Sequence, residues 1–260
     1  MKRRSTQFAI LTCVAIVTAA FLQSLRMPNE PSYNGRRLSR WLDKRVATPA
    51  GPVVLSSEAS SAVREIGPEA IPFLLNWLQR SDLPGFRRLR YGANVPVPLN
   101  DVWRTRAFYG FRALGRDADS AVPELVDVAL FSSDREVRSA ATNALVGDNP
   151  LSVKLLGDAL GNDDALVRFR AAEVLGRIRP PAAIQLLTDA LRDSDPEVRS
   201  KAASGLGLYS QPLPDTTLDV LKSLSENRNS SLRSAARTAL TRQAAVRRNS
   251  MSHSETRNGI

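Results

Sequence analysis

The sequence predicts an all-α solenoid, and three observations carry that prediction. Val137-Arg138, Val167-Arg168, Val198-Arg199 and Leu232-Arg233 open four similar segments, spaced by 30, 31 and 34 residues. Within each segment apolar or small residues fall at i, i+4, i+7 and i+8, as in Val137, Ala141, Ala144 and Leu145, which is one face of a helix. The first three segments are each followed by a second helical stripe: Leu155-Leu156 with Ala159-Leu160, Leu186-Leu187 with Ala190-Leu191, and Val220-Leu221 with Leu224. A two-helix unit leaves an apolar face in water that only a neighbouring unit can cover, so the units stack.

Residues 1–26 read as a signal peptide or signal-anchor helix. Lys2-Arg3-Arg4 precede an uncharged run from Phe8 to Leu22, the basic start and apolar core of an export signal. The run is short for a membrane span, which takes about 20 apolar residues. Charge before it predicts a cytoplasmic amino terminus with the rest exported. The location expected is therefore the bacterial inner membrane, with the repeat body on the periplasmic side. Ala19 and Ala20 also permit cleavage, and secretion after cleavage is the alternative.

Residues 27–57 are rich in Pro, Ser and Gly around one short amphipathic piece, Arg36 to Leu42, and read as a linker. The array follows over 58–242. Two weaker copies lead it: Ala62 to Gly67 with Ile71 to Leu78, and Gly110 to Gly115 with Val122 to Leu130. The expectation is five helix pairs and a terminal helix. Alanine at the fourth place of each segment lets helices approach closely. Asp134, Asp164 and Asp195 stand where a side chain caps a helix and favours its positive end, and Pro196 suits a first helical position.

An irregular loop, 81–100, interrupts the array and is longer than the connections usual between helices. From 86 to 116 there are seven Arg against one acid, Asp101, with six of the chain's fifteen aromatics. Arg and aromatic residues dominate binding hot spots and stack on bases. Phe86, Arg87, Arg88, Arg90, Tyr91, Trp103, Arg104, Arg106 and Tyr109 are the candidate binding residues; the other reading is a packed joint. The tail, 243–260, is polar and aperiodic and reads as disordered.

The string Asp-x-x-Val-Arg-x-x-Ala-x-x-Leu-Gly at a spacing of about 30 residues, complete at Asp164 to Gly176 with one position shifted, resembles the short HEAT-like repeat of the armadillo type first associated with phycobilin lyases (the PBS-lyase HEAT-like family). Tyr33 to Leu42 resembles a stretch that precedes the array in exported bacterial HEAT-repeat proteins. The resemblance implies a helical superhelix used mainly for protein–protein interaction.

The charge is unevenly distributed. Of the net +10, residues 1–57 hold +7 and residues 228–260 hold +6, leaving −3 on the body between. A general nucleic-acid-binding body is disfavoured by that distribution. One cysteine, Cys13, forbids an internal disulfide, and one histidine, His253, sits in the tail. The di-iron His-Glu pairs of HEAT-type hydroxylases have no counterpart here, nor is there a phosphate loop or nucleophile elbow. No catalytic residue, metal site or cofactor is expected, and a small-molecule substrate is disfavoured.

Asp134, Arg138, Asp164, Arg168, Asp195, Arg199 and Arg233 form a ladder, with Asp one turn before Arg in three of the four units. Its bland reading, favoured, is that each Arg bonds the preceding turn or a neighbouring Asp and holds the repeats in register. Its functional reading is a basic groove for anions. The function expected is a non-catalytic interaction scaffold for another protein. The alternatives are a lyase-like or enzyme-accessory role, and anion or nucleic-acid binding by 86–116.

Overall fold

The computed structural model describes residues 29–48, 51–80, 99–145 and 148–258. Its helices pair as α2 (Ser57–Ile66) with α3 (Ile71–Gln79), α4 (Leu99–Leu114) with α5 (Val122–Phe131), α6 (Arg135–Ala144) with α7 (Pro150–Ala159), α8 (Ala165–Ile178) with α9 (Ala183–Ala190), and α10 (Pro196–Leu206) with α11 (Asp215–Leu224). A long helix, α12 (Ser230–Asn258), ends the stack. The apolar positions of the repeat pattern make the core: Val137, Ala141, Val167, Ala171, Val198, Ala202, Leu232 and Ala236 are all buried.

Small residues set the spacing between first helices. At Gly176 a Cβ would stand 2.6 Å from the Cα of Gly205, and at Gly207 one would stand 2.8 Å from the Cα of Ala239. Successive first helices α8, α10 and α12 therefore touch backbone to backbone, which only glycine or alanine permits.

The segment read as a linker carries structure. β1 (Ser32–Tyr33) and β2 (Arg36–Arg37) form an antiparallel hairpin. Asn34 and Gly35 turn it with φ of 48° and 71°, the positive pair that a two-residue hairpin turn requires. A short helix, α1 (Leu38–Leu42), buries Leu38, Trp41 and Leu42, and the Trp41 indole N–H donates to the Tyr33 carbonyl at 3.1 Å. A second hairpin joins β3 (Arg45–Thr48) to β4 (Gly51–Leu55). The architecture is thus mostly helical rather than all-α.

The carboxyl-terminal boundary also moves. The polar stretch from 243 continues α12 to Asn258, because Gln243 is buried and clamps the preceding loop. Its Nε2 donates to the Tyr209 carbonyl at 2.9 Å and its Oε1 accepts from the Leu213 amide at 3.1 Å. Arg247 adds bonds to the Leu213 carbonyl and the Asp215 carboxylate.

The inner-membrane location with an exported body is contradicted. Among the described residues no helix is long and apolar enough to cross a membrane; the longest, α12, is studded with Arg, Ser and Thr. The run from Phe8 to Leu22, on which the signal or anchor rested, lies outside the described residues.

Candidate functional site

The ladder arginines all do the same thing. Each guanidinium reaches back over its own helix start to two carbonyls of the preceding loop: Arg138 to Ser132 and Ser133, Arg168 to Asn162 and Asp163, Arg199 to Asp193 and Ser194, Arg233 to Asn227 and Arg228, at 2.6 to 3.4 Å. These bonds satisfy loop carbonyls that the half-buried inter-repeat turn would otherwise leave unpaired. Asp134, Asp164 and Asp195 cap their helices, accepting from amides two or three residues on.

One further position belongs to this code and has no counterpart in the sequence pattern above. Two residues before each cap, Ser132, Asn162, Asp193 or Asn227 accepts the amide of the capping residue at 2.8 to 3.3 Å. The signal is legible as a Ser/Asn/Asp residue two places before the cap, a local side-chain turn. Asp193 does more. It also takes Arg168 in a two-pronged ion pair, at 2.8 and 3.0 Å, joining one repeat to the next. Burial pushes the Asp193 carboxyl up, but the Arg168 hydrogen bond and the Asp195 amide outweigh it and hold the pKa below the ordinary value.

The candidate binding residues divide. Phe86, Arg87, Arg88, Arg90 and Tyr91 lie outside the described residues. Trp103, Arg104, Arg106 and Tyr109 all sit on α4 and are tied into the molecule. Trp103 packs on Trp77 with centroids 5.3 Å apart, and the guanidiniums of Arg80 and Arg106 lie 4.6 and 4.5 Å from its ring centre. Arg106 forms a two-bond pair with Asp43 at 2.9 and 2.7 Å. Tyr109 donates its hydroxyl to the Val53 carbonyl at 2.7 Å. Arg104, 8% exposed, reaches Glu136 at 2.5 Å and Asp134 at 3.4 Å in the next unit. Helix α4 is therefore the joint between the amino-terminal hairpins and the regular repeats.

The first helices α4, α6, α8, α10 and α12 also present an outward row of exposed and half-buried side chains. Polar contacts link neighbours along it: Arg177 donates to Ser139 and Asn143, Lys201 pairs with Glu173 at 3.2 Å while resting over the Phe169 ring, and the Ser200 and Ser231 hydroxyls meet at 3.2 Å. Two clefts open on this row. One, of about 360 Å³, lies between α4 and α6 and is lined by Arg104, Thr105, Phe108, Tyr109, Ala140 and Asn143. The other, of about 390 Å³, lies between α10 and α12 among Ser200, Ser204, Ser231, Ser234, Thr238 and Arg242. A third, of about 300 Å³, adjoins the first across Phe108 and Tyr109, between β4, α2 and α4. Among the described residues no group of three or more His, Cys, Asp or Glu is placed to hold a metal ion.

Residues 153–241 match the family model for HEAT repeats. No curated protein matches the sequence. Among solved structures the chain is similar to human deoxyhypusine hydroxylase in complex with glycerol, at 21% identity over 72% of this chain and 78% of that one, with a TM-score of 0.38. It is also similar to an engineered protein, at 19% identity over 80% and 97% with a TM-score of 0.38. A designed armadillo repeat protein in complex with the peptide (KR)4 matches at 16% identity over 79% and 99%, with a TM-score of 0.35. Capped, paired helices repeat through that matched segment, so residues 153–241 are similar to HEAT repeats in sequence and in helix arrangement.

Proposed function

We propose that the chain is a non-catalytic scaffold that binds another protein along the outward row of its first helices. The observation that carries this reading is a division of labour within each repeat. The recurring Arg and Asp side chains are consumed by the inter-repeat turns, whereas clefts of about 360 and 390 Å³ open near the two ends of the same row. A stacked array offers such a row as one extended surface, long enough for a partner to contact several units at once. The row mixes hydroxyls, amides and both signs of charge, which suits specificity by polar complementarity rather than an apolar patch.

Site-specific photo-crosslinking tests it. A photoreactive side chain replaces Asn143, exposed on the first-helix row, or Lys154, exposed on the second helix of the same unit. Irradiation of the tagged full chain in native extract is expected to give discrete protein adducts from position 143 and none from 154. Adducts from 154 alone, or from neither position, would contradict the reading.

A further inference from the structure

The cleft between β4, α2 and α4 has a chemistry unlike the rest of the row. Its walls are apolar: Val53 and Leu55 from the hairpin, Phe108 and Ala113 from α4. Two guanidiniums line it, Arg64 from α2 and Arg112 from α4, both exposed. A third, Arg45, stands 5.9 Å from the ring centre of Tyr109 at the same place. Among the described residues no carboxylate lines the cleft. Neither Arg64 nor Arg112 has an ion pair or hydrogen-bond partner among the described residues, although elsewhere on α4 Arg104 and Arg106 are each bound to carboxylates.

The floor is fixed rather than collapsible. The Tyr109 hydroxyl holds the Val53 carbonyl, Arg106 holds Asp43, and Lys44 holds Glu58, so the hairpin is pinned to α2 and α4 around the opening. At about 300 Å³ the space is at the small end of ligand pockets, enough for one large apolar side chain and too small for a folded domain. Paired positive charge around an apolar hole selects a ligand with the opposite arrangement.

Resting on the scaffold reading, we infer that this cleft captures an acidic peptide segment of the partner, with one bulky apolar residue seated between Val53, Leu55, Phe108 and Ala113. Carboxylates flanking that residue meet Arg64 and Arg112. The segment then runs past Phe108 and Tyr109 onto the adjoining cleft between α4 and α6, so hairpin and solenoid act as one continuous site.

The test uses the full chain and a labelled eight-residue probe peptide of Asp and Glu around a central Leu-Phe pair, followed by fluorescence anisotropy. Saturable binding is expected, weakening as salt rises. It should fall at least tenfold when Leu-Phe is replaced by Ala-Ala, and at least tenfold in R64S/R112S. Val53→Asp, at a half-exposed position, should weaken it by a similar factor, and both variants should melt as the parent does. Retained affinity in the double variant, or equal binding of a basic peptide or of a single-stranded oligonucleotide, overturns the inference. If R64S/R112S loses the peptide but the parent chain gives no adduct from position 143, the scaffold reading fails and the cleft stands. If adducts form while the probe does not bind, the cleft fails and the scaffold stands.

Discussion

Residues 134–242 and residues 29–131 are stacked on each other and are held together by different means. In the carboxyl-terminal part every junction repeats one local device. A side chain turns the loop, an Asp or Asn caps the helix and an Arg closes on the loop carbonyls; between α8, α10 and α12 small residues also let the first helices touch. In the amino-terminal part each junction is made once, by partners 30 to 63 residues apart: Arg104 with Asp134 and Glu136, Tyr109 with Val53, Arg106 with Asp43. A periodic code builds a regular surface; single long-range pairs build a shaped one. The apolar cleft lies on the shaped side.

The sharpest way to separate the two regions is to add one methyl group to each. Gly176→Ala drives a Cβ to 2.6 Å from the Gly205 Cα, and backbone cannot step aside. The expected cost is about 3 kcal/mol, partly offset by the better helix propensity of alanine, worth about 1 kcal/mol. Gly110→Ala meets the end of the Leu74 side chain, which can rotate away. Its expected cost before the same offset is about 1 kcal/mol. Denaturant unfolding of both variants measures the contrast, and equal losses would erase it.

The inter-repeat ion pair gives the comparison a pH signature. The Asp193 pKa is lowered in the folded chain, so the stability it contributes is fully present above its unfolded value of about 3.9 and is lost as pH falls through the lowered folded value. Asp193→Asn should therefore be less stable than the parent at neutral pH, with the gap narrowing in acid. A gap that stays constant from pH 7 into acid would show that the carboxylate charge is not what joins these repeats.

Tyr209→Phe removes the buried bond from the Tyr209 hydroxyl to the Pro180 carbonyl, 3.0 Å long, and leaves that carbonyl with the Ala183 amide as its remaining donor. About 1 kcal/mol should be lost. Burial also raises the pKa of this phenol well above the ordinary range, so the Tyr209 phenol of the parent should resist alkaline titration until the fold opens, and Tyr209→Phe should lack that late-titrating signal. The smallest effect is expected for the surface pair of the amino-terminal part. A double-mutant cycle on Arg106 and Asp43 should give a coupling of about 0.5 to 1 kcal/mol, shrinking with salt. Coupling larger than that of the Arg168–Asp193 cycle would reverse the ranking of the two regions.

The repeats were legible because their contacts are periodic and apolar. Val137, Val167 and Val198 mark buried faces whatever their partners are, and the Asp caps act within three residues. The amino-terminal hairpin was legible as well, in Asn34-Gly35, but Pro, Ser and Gly around it argued for a linker. The helical tail was not legible. Gln243 and Arg247 are polar, and nothing in their own neighbourhood says that the 207–215 loop will bond them. The cleft was half legible: Phe108 and Arg112 stand out in a basic, aromatic stretch, whereas Val53 and Leu55 reach it only because β4 folds back against α4.

Under the proposed function, the recurring arginines build the scaffold while the outward row binds. Arg199 tests it most directly, since its described bonds go to the Asp193 and Ser194 carbonyls. Arg199→Ala should be examined with the position-143 photo-crosslinker in place, below the variant's own melting temperature. A lower melting temperature and an unchanged adduct yield are expected. An unchanged melting temperature with the adduct lost would contradict it, and would make the ladder itself the binding surface.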